Sequence, residues 1–427
     1  MAVNIPMTSR PRIVIVGAGF AGLELAKGLK HLNSQVVLID KNNHHTFQPL
    51  LYQVATAGLE PESIAYPIRE IFRYQKNFIF RMAEVLAVTP EKNCVVTSIG
   101  EIPYDYLVIS TGAKTNFFGM KDVEANALCM KTVPEAVELR NIILENFEKA
   151  VLTTSLEERS RLMTFVIVGG GPTGVELAGA LGELKKVVLP HDHSELDFKM
   201  MQIHLVDMED RLLKAMSPEA SHSAEKFLSD HDVNVWLKTK VKFFDGQKVV
   251  FFDDKAIPTS NMIWTAGVTG EVLPGFSPAA LASGRIKTDA FNRVCGHENI
   301  FAIGDVAAVI TEKIPQGYPM LAPVAMQQAR LLCQNLKKVF DRKTDLKPFV
   351  YQDLGVMATV GRHEAVADLF FGKFQGMLAW LMWAGLHLIT LVGFRNRIVA
   401  LVNWTWSYFR YDRGLRLIIR PSKRNKA

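Results

Sequence analysis

Two glycine clusters carry the clearest chemistry in the sequence: Gly17-Ala18-Gly19-Phe20-Ala21-Gly22 and Gly169-Gly170-Gly171-Pro172-Thr173-Gly174, 152 residues apart. Each follows a β-branched run and opens a segment with the apolar spacing of a helix. In such a turn the first glycine permits the tight bend. The second lets backbone approach a pyrophosphate, and the third lets helix and strand pack closely. The helix N-terminus adds unpaired N–H groups and a positive dipole end for the phosphates. Each unit closes with a strand and a carboxylate that can accept from ribose hydroxyls. QVVLID ends at Asp40, 23 residues after Gly17, and MQIHLVD ends at Asp207, 38 residues after Gly169. One GxGxxG arises easily for packing alone. Two complete strand–turn–helix–strand–acid units predict two dinucleotide sites.

Other candidates are more ambiguous by themselves. NIFAIGDVA delivers Gly304-Asp305 from a buried strand to a loop. That aspartate could orient a cofactor's ribityl or phosphate groups, or merely cap a turn. Glu176, two positions after Gly174, is read in the first turn of the second helix. There a carboxylate is favoured by the helix dipole whatever else it does. His44 and His45 invite a metal reading, but no carboxylate or cysteine stands at ligand spacing, so no metal is expected. Cys94, Cys129, Cys295 and Cys333 are far apart and form no CxxC, which removes both a local redox dithiol and a zinc site. A reducing compartment is the default for such a chain. No nucleophile–base–acid triad is recognisable.

The elements that must position these residues follow the same pattern. Strands YDYLVISTGA (104–113) and NMIWTAGV (261–268) end in small-residue turns like those above, and residues 185–199 read as a polar excursion in the second crossover. With 427 residues, 48% apolar and 22% charged, the chain has room for two or three folded domains. No secretory signal is apparent at the start. The net charge of +6 is uneven: from Arg395 onward nine Lys/Arg face only Asp412, a segment charge of +8 that leaves −2 for residues 1–394. Just before that tail, FQGMLAWLMWAGLHLITLVGF (374–394) holds 21 residues without a formal charge. It is long enough to span a bilayer. Gln375, His387 and Thr390 interrupt it, however, and Gly376, Gly385 and Gly393 weaken a continuous helix. Trp380, Trp383, Trp404, Trp406, Tyr408 and Tyr411 stand beside arginines. We read residues 374–420 as a pair of membrane-lying amphipathic helices facing an anionic surface. No basic-aromatic nucleic-acid module is present, so nucleic acid is not an expected partner.

GAGFAG, STGA, GGGPTGVE, TAGV and AIGD, in this order over residues 10–330, resemble the two-dinucleotide-domain flavoprotein (pyridine nucleotide-disulfide reductase) superfamily. NNHHTFQPLLYQVATAGL (42–59), the 129–150 segment, LAPVAMQQA (321–329) and the Trp-rich end extend the likeness over nearly the whole chain. They resemble type II NADH dehydrogenase, the non-pumping NADH:quinone oxidoreductase. The resemblance implies an α/β fold with two Rossmann-like domains and a C-terminal membrane-anchoring helical region. Residues 1–125 and 262–345 would form a discontinuous FAD-binding domain, and 126–261 an NADH-binding domain. Residues 346–427 would form a membrane-association and dimerisation region. The implied reaction takes hydride from NADH to FAD and two electrons on to membrane quinone (ubiquinone or menaquinone). The expected setting is a homodimer, peripheral and monotopic on the cytoplasmic face of a bacterial inner membrane. Alternatives are a sulfide:quinone oxidoreductase, which needs converging cysteines and no NADH, or an apoptosis-inducing-type flavoprotein acting through partners.

Site residues follow from the same resemblance. Gly17, Gly19, Phe20, Gly22, Asp40, Lys41, Thr46, Gln48, Val85, Thr111, Gly112, Gly267, Gly304, Asp305, Gln327 and Gln328 are implied around FAD. Gly169, Gly171, Gly174, Glu176 and Asp207 are implied around NADH. Glu176, Gln327 and Lys373 are the implied catalytic residues. A carboxylate at Asp207, with Glu209 nearby, would repel a 2′-phosphate, so NADH is expected over NADPH. Pro323 stands where the family's quinone motif has its first glutamine, while Gln327 matches the second.

Overall fold

Buried β-branched runs arrange the chain around two parallel sheets. The computed structural model describes residues 3–312, 314–410 and 414–420, the last four of the final helix by backbone alone. Contacts divide it into two compact units: Met1–His45, Tyr66–Lys114 and Val268–Asp353 form the first, and Thr46–Ala65, Thr115–Gly267 and Leu354–Ala427 the second.

In the first unit five strands lie in the order Ile300–Ala302, Tyr106–Ile109, Arg12–Val16, Gln35–Asp40, Phe78–Met82, all parallel. Val14, Val16, Val37, Ile39, Leu107 and Ile300 are sealed in its core. Such continuous apolar runs are what a parallel sheet covered on both faces requires. The Arg12–Val16 strand is central, with neighbours on both sides, so its C-terminal turn opens at the crevice where α/β sheets bind ligands.

The second unit repeats this design with four parallel strands, Val233–Trp236, Gln202–Val206, Thr164–Val168, Asn261–Trp264. The helix Pro172–Glu183 leaves its glycine turn and is followed directly by a π-helical stretch, Leu184–Val188, and a short helix, Leu189–Asp192. The excursion expected at residues 185–199 therefore begins as helix: Leu184, Val188 and Leu189 are buried and keep the backbone winding. A meander of three antiparallel strands, Gly355–Thr359, Ala365–Leu369 and Gly372–Gln375, leads into the helices Gly376–Thr390 and Phe394–Arg410.

The first of these helices is unbroken over 15 residues. Two of the polar side chains that interrupt it bond to its own backbone: His387 Nδ1 lies 2.7 Å from Trp383 O and Thr390 donates to Leu386 O at 2.8 Å. The break falls at 391–393, where Gly393 takes φ +91°. Among the described residues no helix is long and apolar enough to cross a membrane. Met377, Leu378, Leu381, Leu386, Ile389, Phe394, Ile398, Leu401, Val402 and Trp406 are exposed. Of the tryptophans that stand beside the arginines, Trp406 is exposed, whereas Trp383 and Trp404 bond or pack inward. Trp383 is 1% exposed, and it stacks on His387 at 4.2 Å and lies 5.4 Å from Trp404. Trp404 in turn donates to Gln53 Oε1 at 2.8 Å. Asn396 donates to the carbonyls of Glu62 and Ala65, and Asn403 to Glu60. The last helix thus bonds inward through Asn396, Asn403 and Trp404, and leaves Ile398, Leu401 and Val402 outward together with Arg395 and Arg397. Arg416 and Arg420 of the tail pair with Asp192 and Glu145. Tyr411, Arg413, Lys423, Arg424 and Lys426 lie outside the described residues, as do the side chains of Tyr408 and Arg410.

Candidate functional site: two dinucleotide turns and a buried carboxylate

At the first turn Gly17 has φ +98°, and a Cβ there would sit 2.4 Å from Ser110 O. A Cβ on Gly22 would meet Gly17 O at 1.9 Å, so helix and turn touch as only glycine allows. Gly19 caps the helix Phe20–Gly28 without a side-chain bond and has nothing within 4 Å of its Cβ position. That combination is an open, electropositive cradle, and it fits a dinucleotide pyrophosphate. Asp40 accepts from Ala18 N at 2.7 Å and from Asn42 N at 2.7 Å. Burial raises its pKa against those bonds. Its remaining lone pairs are available to ribose hydroxyls. His45 Nδ1 meets Ala18 O at 2.8 Å, and the ring is 1% exposed, its pKa pushed down to about 4 by burial.

The rest of this unit's predicted set stands around the same sheet ends. Thr111 donates to Glu271 O at 2.6 Å, and Gly112 (φ +78°) faces open space. Gly304 donates its N–H to Gln328 Oε1 at 2.7 Å, and Gln328 is 1% exposed, so it holds the Gly304-Asp305 turn from behind. Gln327 spends both ends of its amide on the Gln352 backbone, at 2.9 and 3.0 Å. Lys41 reaches Glu271 at 3.4 Å, and Phe20, Val85 and Asp305 are half-buried.

The second turn has the same construction. A Cβ on Gly174 would lie 1.9 Å from Gly169 O, and Gly171 faces open space, which again fits a pyrophosphate. Asp207 accepts from Gly170 N and, at 2.8 Å, from Glu209 N. Gly267 takes φ +137° against Phe118. Thr46 and Gln48 belong to this second unit, with Lys131 Nζ 3.5 Å from Gln48 Oε1. Lys373 pairs with the exposed Glu219 at 3.0 Å.

Glu176 is not in the first turn. The helix is capped at Gly171 and carries no acid in its first turn. Glu176, the fifth helical residue, faces inward and is 8% exposed. Burial pushes its pKa up to about 8, against one long bond of 3.5 Å from Thr359 N. The dipole therefore does not account for it; at neutral pH this carboxyl holds its proton. Sequence reasoning passed over what surrounds it. Tyr52 OH lies 3.0 Å from Thr359 Oγ1 and accepts from Gln53 Nε2 at 2.9 Å. Glu183, seven residues beyond Glu176 on the same helix face, accepts from Arg362 N. Tyr52, Gln53, Glu183, Arg362, Trp383 and Trp404 line a cavity here. The only signal in the sequence was a pair of glutamates at i and i+7, because the partners come from three distant segments.

Two dinucleotide turns on two parallel sheets define a two-dinucleotide flavoprotein, and the family model for pyridine nucleotide-disulphide oxidoreductases matches residues 11–329. A model for the NDH2 C-terminal domain matches residues 354–410. The chain belongs to the type II NADH:quinone oxidoreductase family. It is 37% identical to the type II NADH:quinone oxidoreductase NdhA of Mycobacterium tuberculosis, covering 95% of this chain and 88% of that one. Its fold matches NDH2 from Plasmodium falciparum in complex with NADH at a TM-score of 0.88 and 20% identity, covering 96% of this chain and 100% of that one. The sulfide:quinone oxidoreductase of Aquifex aeolicus shares the fold less closely, with TM-score 0.71 and 18% identity over 96% of each chain.

Proposed function

We propose that the chain oxidises NADH and reduces a membrane quinone through FAD, without proton pumping. The observation that carries this reading is the pair of open glycine cradles, each with its own acid, in a chain whose four cysteines are scattered and unbridged. One cradle suits the flavin dinucleotide and the other NADH. FAD, when bound, supplies the two-electron chemistry between hydride donor and quinone. The protein's part is placement and proton handling. Gly17, Gly19, Gly22, Asp40, Thr111, Gly112, Gly304 and Asp305 would hold FAD, with Phe20, Lys41, Thr46, Gln48, Val85, Gly267, Gln327 and Gln328 supporting its site. Gly169, Gly171, Gly174 and Asp207 would hold NADH. Glu176, protonated at neutral pH, would present a hydrogen-bond donor near the nicotinamide, and Gln327 and Lys373 would serve the quinone side.

In this reading residues 1–125 and 262–345 make the FAD domain, 126–261 the NADH domain and 346–427 the membrane region. The outward apolar residues of the last two helices support a peripheral, monotopic seat on an anionic bilayer. We place it on the cytoplasmic face of a bacterial inner membrane, as a homodimer. The test is anaerobic reduction of the bound flavin. NADH should bleach it rapidly, sulfide should not, and a long-tail quinone should reoxidise it. Bleaching by sulfide alone would assign the sulfide:quinone chemistry instead.

A further inference from the structure

The two glycine turns pin the same peptide with different donors. In the second turn, Gly170 gives its N–H to Asp207, and its carbonyl accepts from the backbone N–H of Leu213 at 2.8 Å. In the first, Ala18 gives its N–H to Asp40 at 2.7 Å, but its carbonyl meets an imidazole, His45 Nδ1, at 2.8 Å. A carbonyl only accepts, so Nδ1 carries the hydrogen and the ring is held in that tautomer. Nε2 is buried with no partner among the described residues, so it imposes no competing tautomer. Phe20 braces the ring edge-on at 5.3 Å and 84°.

A trans peptide points its C=O and its N–H in opposite directions. Fixing the Ala18 carbonyl against His45 therefore turns the Gly19 N–H the other way, at the residue with nothing within 4 Å of its Cβ position. We propose that His45 is the positioning residue of the first dinucleotide turn, holding the Ala18–Gly19 peptide so that the Gly19 N–H is aimed at the cofactor's pyrophosphate. This rests on the reading that the first turn holds FAD. The second turn fixes the corresponding carbonyl with a main-chain donor, so of the two carbonyls the first is the one that a side-chain change can unlock.

Asparagine places an amide N–H near the Nδ1 position, whereas glutamine carries it one bond further, near Nε2. Diluting the holoprotein and following free flavin fluorescence measures FAD release. His45→Asn should stay within about threefold of the parent, while His45→Gln and His45→Leu should bind FAD about tenfold more weakly, the usual scale for one unsatisfied buried acceptor. NADH affinity, read at the second turn, should stay the same in all three. Equal FAD retention by the Asn and Gln variants would overturn the proposal, as would a parallel fall of FAD retention, NADH affinity and thermal midpoint in both. The Asn/Gln pair decides even where the Leu variant does not fold. A parent protein that carries no FAD would instead undo the assignment of the turn.

Discussion

Glu176 shows how one buried carboxyl links stability to pH. Burial raises its pKa from 4.5 to about 8. The folded state therefore holds a proton that the unfolded state releases, and its contribution to stability is full below pH 4.5 and is lost as pH rises toward 8. Glu176→Gln keeps the shape and cannot ionise. Denaturant unfolding should show the variant gaining on the parent by about 2 kcal/mol or more between pH 5 and pH 8.5. A constant difference would mean that Glu176 is ionised in the fold. In single-turnover work the same variant should alter flavin reduction or quinone reduction; unchanged rates in both would remove it from the mechanism. Asp207 is a second residue-scale case. Its carboxylate already ties Gly170 N and Glu209 N, and its charge would oppose a 2′-phosphate. Asp207→Asn should narrow the NADH-over-NADPH ratio of kcat/KM by about tenfold. An unchanged ratio would shift that role to Glu209.

At the scale of elements, the helix Pro172–Glu183 matters most, because it begins at the second cradle and lies against the C-terminal meander. Its Glu176 and Glu183 accept from the backbone of Thr359 and Arg362, at either side of the Val360–Gly361 turn. Gly179 lets that turn seat: a Cβ there would stand 2.6 Å from Gly361 N. Helix propensity alone favours alanine by about 1 kcal/mol, but overpacking against backbone costs about 1–3 kcal/mol. Gly179→Ala should therefore destabilise in urea unfolding. A stabilised variant would show that the meander is not seated on this helix. The final helix holds Asn396, Asn403 and Trp404 by inward bonds and presents Ile398, Leu401 and Val402 outward beside the exposed Arg395 and Arg397, a mixed apolar and basic face.

For the whole molecule, that outward ridge gives a direct test of membrane attachment. Joint replacement of Leu381, Ile398 and Leu401 by aspartate should abolish flotation with anionic vesicles and reduction of long-tail quinone. NADH oxidation by a soluble acceptor should stay within about twofold, because these side chains lie outside the core. Release of the parent protein by high salt alone would point to purely electrostatic attachment. Light scattering after size exclusion checks the homodimer, for which a monomer mass is the refuting result.

Much of this was legible in the sequence, because it is written in local patterns. The two glycine turns, the acids that close them and the parallel strands that carry them follow from short-range spacing and backbone sterics. The absent dithiol and the charged tail follow from composition. What the tertiary structure decided is burial and partnership, which arise from segments far apart in the chain. It sank Glu176 into the core, gave Gln327 and Gln328 backbone partners, and turned Trp383 and Trp404 inward. It also set His45, in the short strand His44–Thr46, behind the Ala18 carbonyl. Desolvation and hydrogen-bond satisfaction depend on which distant groups arrive at the same place, and no local period encodes that.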